Sequence, residues 1–128
     1  MKLRPIGWLV LLMALVEGGW LAFDGAHGLI TGDYVTPSSG DYAGRLGPWS
    51  KLVEAVGIDP RSTLMMSIHL ALGVGWLLVM FAYVKGVRVA KGGMILFAVL
   101  GLWYLPFGTL LSVLQIVLLL RPNDRARV

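Results

Sequence analysis

Glu17, Asp24 and His27 lie along one stretch, EGGWLAFDGAH, which follows an uncharged run from Gly7 to Val16. A second histidine, His69, sits inside another apolar run. These residue types can transfer protons, bind ligands or ligate metals. On a helix turning about 100° per residue, Glu17 and Asp24 point within about 20° of each other, and His27 about 60° further round. They share one face if the helix persists through Gly25 and Gly28.

An ionisable group at the centre of a bilayer costs on the order of 3 kcal/mol, so it is usually turned toward a partner or a water-filled cavity. Two arrangements meet that condition. In the first, Glu17 and His69 line one polar pocket, Asp24 and His27 stand at its mouth, and Tyr104 and Gln115 approach from later helices. In the second, each polar group is satisfied by a hydrogen bond and only specifies helix packing. Acid–base chemistry would require Glu17 and His69 within reach of each other, directly or through one water or substrate. No residue is assigned a catalytic role.

Haem or chlorophyll-type ligation by His27 or His69 fits imidazole chemistry but lacks supporting spacing, so no cofactor is expected. Asp24 and His27 stand at i, i+3, which ordinary interfacial polar residues explain, and no metal site is expected. With no cysteine in the chain, disulfides, thiolate zinc sites, thiol redox catalysis and c-type haem attachment are excluded. No HExxH, GxSxG or P-loop motif occurs.

Those residues must be carried by membrane-like elements. The hydrophobic fraction is 57% and the charged fraction 14%, against about 45–50% and about 25% in soluble domains. The mean hydropathy is +0.77. Lipid is the expected solvent, and the net charge of +4 reads as the cytoplasmic excess of Lys and Arg rather than as a nucleic-acid surface.

Ile6 to Phe23 forms the first expected span, kept as a membrane helix because no small-x-small cleavage site precedes Asp24. Residues 24–62 form an outer loop. Within it, Trp49, Leu52, Val53 and Val56 mark one face of a short amphipathic helix that ends at Gly57. That helix either anchors at the lipid interface or packs down on the bundle; both make the loop a lid. Asp59-Pro60 reads as a cap and first turn leading into the second span, about 63–84. The third span is expected at Val87 to Leu105 and the fourth at Phe107 to Leu120, with Pro106 and Gly108 as the hinge between them.

Charge favours this four-helix reading over three. With four spans, Lys2, Arg4, Lys85, Arg88, Lys91, Arg121, Arg125 and Arg127 all face the cytoplasm, as do both termini. Arg45, Lys51 and Arg61 remain outside. Small residues recur every four positions at Ala14, Gly18 and Ala22 and at Ser67, Ala71 and Gly75, the spacing that lets helix backbones approach closely, within the bundle or between copies.

Three stretches, TGDYVTP at 31–37, RLGPWSKLVEAVGIDPRS at 45–62 and LWYLPFGTLLS at 102–112, resemble small prokaryotic four-helix integral membrane proteins of unassigned function. The resemblance implies the four-helix architecture and a prokaryotic inner membrane, but no activity. Four-helix membrane isomerases of the sterol type compare only in architecture.

The expected fold is therefore an all-α, four-transmembrane-helix bundle with an ordered outer loop. Its expected role is that of a non-enzymatic accessory subunit or oligomeric scaffold, with other membrane subunits or itself as partner. A ligand, ion or proton pocket built on Glu17, Asp24 and His69 is the second reading. A lipid-modifying enzyme is the third.

Overall fold

An unbroken apolar stretch can satisfy its own backbone N–H and C=O groups without neighbours only as a helix. The computed structural model describes residues 5–41 and 43–121, and among them all regular structure is helical. The helices are α1 (Pro5–Thr31), α2 (Trp49–Ala55), α3 (Thr63–Val84), α4 (Ala90–Leu100) and α5 (Phe107–Leu119). α1 and α3 are long and apolar enough to cross a membrane; α4 and α5 are apolar but shorter.

α1 runs well past Phe23, where the first span is expected to end. The reason lies in Gly25 and Gly28. A Cβ on Gly25 would stand 2.5 Å from the Leu70 nitrogen and 2.7 Å from the Met66 oxygen, and one on Gly28 would stand 2.9 Å from Met66 Cγ. Both glycines let α3 press against α1, and that packing outweighs their poor helix propensity. The helix stops at Gly32, whose φ of +95° favours glycine.

The same close approach continues along the pair. Gly73 of α3 meets Ala22, and Gly18 meets Trp76. Contacts that run forward on α1 and backward on α3 make the two antiparallel. The small-residue pattern on α3 is not what meets α1. Ser67 and Ala71 are exposed, and Gly75 faces Phe97 of α4. The face of α3 that meets α1 is Met66, Leu70, Gly73 and Trp76, which carries only one small residue and so hides from a search for small residues at every fourth position.

α3 begins at Thr63, where the Ser62 hydroxyl accepts from the Met65 N–H at 3.2 Å. Asp59 and Pro60, expected as cap and first turn, form the bend before it. The Asp59 carbonyl accepts from the Ser62 N–H (3.1 Å) and hydroxyl (2.6 Å).

α4 stops five residues before Leu105, and it starts at Ala90 rather than Val87. At about 1.5 Å per residue, α4 and α5 are about 16 and 20 Å long, against about 30 Å of hydrocarbon. They form a hairpin shorter than α1 and α3, turning through residues 101–106.

Two apolar clusters fix the orientation. One joins Ile6 and Val10 of α1, Tyr83 of α3, Ala90 and Met94 of α4 and Leu119 of α5. The start of α1, the end of α3, the start of α4 and the end of α5 thus share one end of the bundle. Lys85, Arg88, Lys91 and Arg121 lie at that end; Lys2, Arg4, Arg125 and Arg127 lie outside the described residues. The other cluster joins Tyr34, Trp49, Val53, Met65 and Met66 with Trp103 and Tyr104. The loop between α1 and α3 therefore folds down onto the turn of the short hairpin. Arg45, Lys51 and Arg61 belong to this second end.

Candidate functional site: a buried carboxyl beside a cleft

Glu17 sits midway along α1 and is 3% exposed. Its partners come from α5. The Ser112 hydroxyl donates to the carboxyl, 2.9 Å from Oε2 and 3.1 Å from Oε1, and Gln115 Nε2 donates to Oε1 at 3.1 Å. The carboxyl needs two glycines to fit. A Cβ on Gly101 would stand 2.6 Å from Oε2, and one on Gly108 would stand 3.0 Å from it. Gly101 caps the end of α4, so the seat for Glu17 lies where that helix stops.

His69 does not hydrogen-bond to Glu17. Its Nδ1 lies 2.9 Å from the Met65 carbonyl, which can only accept, so Nδ1 carries a proton. Its Nε2 is buried without a partner among the described residues. Four rings surround the imidazole: Trp49, Tyr34, Trp103 and Tyr104, at centroid distances of 4.7, 4.9, 5.4 and 5.7 Å. Tyr104 packs on His69 with its ring and on Gly108 with its Cβ, so it stands between the histidine and the carboxyl. The six residues singled out in the sequence thus divide. Glu17 and Gln115 meet, His69 and Tyr104 meet, and Tyr104 separates the two pairs.

Asp24 and His27 hold the loop. Asp24 Oδ1 accepts from the Val35 N–H at 2.8 Å. His27 Nδ1 lies 2.8 Å from the Asp33 carbonyl, closing the turn after α1. Tyr34 donates to the Pro60 carbonyl at 2.6 Å. Burial, and then the charge of nearby Asp24, push its hydroxyl up from its ordinary pKa, so it remains a donor.

Between the loop, α1 and α5 lies a cleft of about 1260 Å³. Glu17 lies at its inner end, about 10 Å below Asp24 along α1. Trp20 and Tyr104 cross one wall, with Trp20 Nε1 donating to the Tyr104 hydroxyl at 2.9 Å. Val16, Phe107 and Leu111 form the apolar side, and Arg45, Lys51 and Arg61 lie among the loop residues. Arg61 pairs with Asp33 and donates to the Gly44 carbonyl; Lys51 pairs with Glu54 at 3.8 Å.

Sequence reasoning missed Ser112, Gly101 and the ring set around His69. Ser112 had a signal. Gly108, Ser112, Gln115 and Leu119, all buried, recur at steps of four, three and four, one helical face bearing two polar residues. The ring set had none, because its members come from three separate segments, around residues 34, 49 and 103–104. Trp49, read as an interfacial anchor or a packed lid, is buried at 4% exposure against His69. Leu52 and Val56 of the expected helical face are exposed.

Trp49 is the keystone of that lid. Trp49→Ala should cost about 3–5 kcal/mol, the usual range for a buried tryptophan. Hydrogen exchange should show residues 32–62 losing protection while α1 and α3 keep theirs. Uniform loss across all helices would contradict a separable lid.

No family model matches the chain, and neither a curated protein nor a solved structure matches it.

Proposed function

We propose that this chain is a four-span protein of a prokaryotic inner membrane, with both termini cytoplasmic, and that its cleft binds a ligand whose charge is read by Glu17. The observation that carries the ligand reading is the placement of Glu17. A buried carboxyl, held only by the neutral donors Ser112 and Gln115, stands at the inner end of a cleft of about 1260 Å³. A group needed for packing alone does not require a cleft beside it. Known ligand sites share this form, mostly apolar walls with a few converging polar groups. The topology is supported by the gathering of Lys85, Arg88, Lys91 and Arg121 at one end of the bundle.

Native mass spectrometry in mild detergent tests the ligand reading. One chain, or a simple multiple, should carry a small-molecule adduct. Val16→Trp, at an exposed position lining the cleft, should lose the adduct and keep the fold. The absence of cysteine makes topology testable with single substitutions. Ser39→Cys should react with an impermeant maleimide in spheroplasts, and Arg88→Cys only after permeabilisation. The reverse pattern would overturn the orientation.

A second reading, an accessory subunit or scaffold, draws on Ser67 and Ala71. They are small and exposed on the outer side of α3, where a partner helix can come close. A spectrum dominated by other polypeptides, with no small adduct, would favour it. Catalysis by a Glu17–His69 pair draws no support from this geometry, because Tyr104 stands between them.

A further inference from the structure

We infer that the cleft takes a lipophilic primary or secondary ammonium, its N–H donors on Glu17 and its apolar body along Val16, Trp20, Phe107 and Leu111; this rests on reading the cleft as a ligand site. Charge supports it first. Among the described residues the ion pairs are Lys51–Glu54 and Arg61–Asp33. Both lie in the outer loop and its junction with α3, and neither includes Glu17 or Asp24. At the inner end of the cleft the carboxyl of Glu17 is thus held by the neutral donors Ser112 and Gln115, with Arg45, Lys51 and Arg61 confined to the loop side, which leaves Glu17 open to a cation.

Hydrogen bonding narrows the class. A carboxylate has about four acceptor sites, and Glu17 receives hydrogens only from Ser112 and Gln115. Glu17 lines the cleft and therefore keeps acceptor sites open toward it. An ammonium with N–H groups supplies donors; a quaternary ammonium does not. The rings of Trp20 and Tyr104 in the wall add attraction for a cation.

Shape gives the rest of the molecule. The cleft exceeds the roughly 300–1,000 Å³ of ordinary small-molecule sites, leaving room for a chain as well as a head. Val16 and Phe107, which line its apolar side, are 54% and 74% exposed. A molecule dissolved in the lipid can therefore enter sideways, head toward Glu17.

Titration calorimetry in neutral maltoside micelles tests this with four probes of one chain length: octylammonium, octyltrimethylammonium, 1-octanol and octyl sulfate. The Val16→Trp protein serves as the blank for partition into micelles. Octylammonium should bind once per chain, about tenfold or more tighter than any other probe, and Glu17→Gln should weaken it about tenfold. Equal binding of any other probe, or an unchanged affinity in Glu17→Gln, would overturn the inference. Octanol binding that Val16→Trp abolishes would overturn it while leaving the cleft a ligand site. If no probe binds, the inference falls, and the native adduct then decides whether the cleft reading falls with it. The comparison of probes on the unsubstituted protein stands even if Glu17→Gln fails to fold.

Discussion

Gly73→Ala should destabilise the protein by about 3 kcal/mol or more, the upper end of the usual cost of overpacking. The added methyl would lie 2.2 Å from the Ala22 nitrogen and 2.6 Å from the Ala22 Cα and Cβ. Those are main-chain atoms and their first substituent, with no rotamer that could move away. α1 and α3 would have to separate, and the contacts of Gly18 with Trp76 and of Gly25 with Leu70 would open with them. Gly92→Ala is the matched control. It lies in α4, is exposed, and has nothing within 4 Å of the added methyl. It should gain about 0.5–1 kcal/mol through helix propensity. Thermal unfolding followed by circular dichroism in maltoside reads both, and equal stability of the two variants would refute the tight α1–α3 contact.

Glu17→Ala should cost about 2–4 kcal/mol, because it strands two buried donors, each worth about 1–3 kcal/mol when unsatisfied. Glu17→Gln keeps an acceptor oxygen and should stay within about 1 kcal/mol of the parent. The sharper test is a cycle with Ser112→Ala. If the two residues meet as described, the double variant should cost less than the sum of the singles by about 1 kcal/mol. Strict additivity would mean that Ser112 does not serve Glu17.

Much of this architecture was legible because apolar length and turn chemistry are local properties. Gly57, read as the stop of the loop helix, follows α2 at a φ of +89°, and the helical period marked α2 in a polar loop. What escaped was set by distant partners. Gly25 and Gly28 read as helix breakers, yet α3 makes them contact points. Leu102 to Leu105 read as helix, yet they form the turn into α5, where the Thr109 hydroxyl donates to the Leu102 carbonyl at 2.6 Å. The same holds for the site. That Glu17 and His69 each lie inside an apolar run could be read along the chain, but not that Tyr104 stands between them.

If the chain spans a bilayer as proposed, the unequal helix lengths have a consequence for the lipid around it. Around α1 and α3 lipids would meet an apolar wall of full height. Around α4 and α5 they would meet one of about 16–20 Å, topped by the turn and the lid. Acyl chains on that side must shorten or tilt, at a fraction of a kcal/mol per ångström of mismatch. The protein would thus act as a one-sided wedge, drawing short-chain or loosely packed lipid to its cleft side. A neighbour with an equally short flank would relieve the same strain by docking there, so membrane thickness itself could select the company this chain keeps.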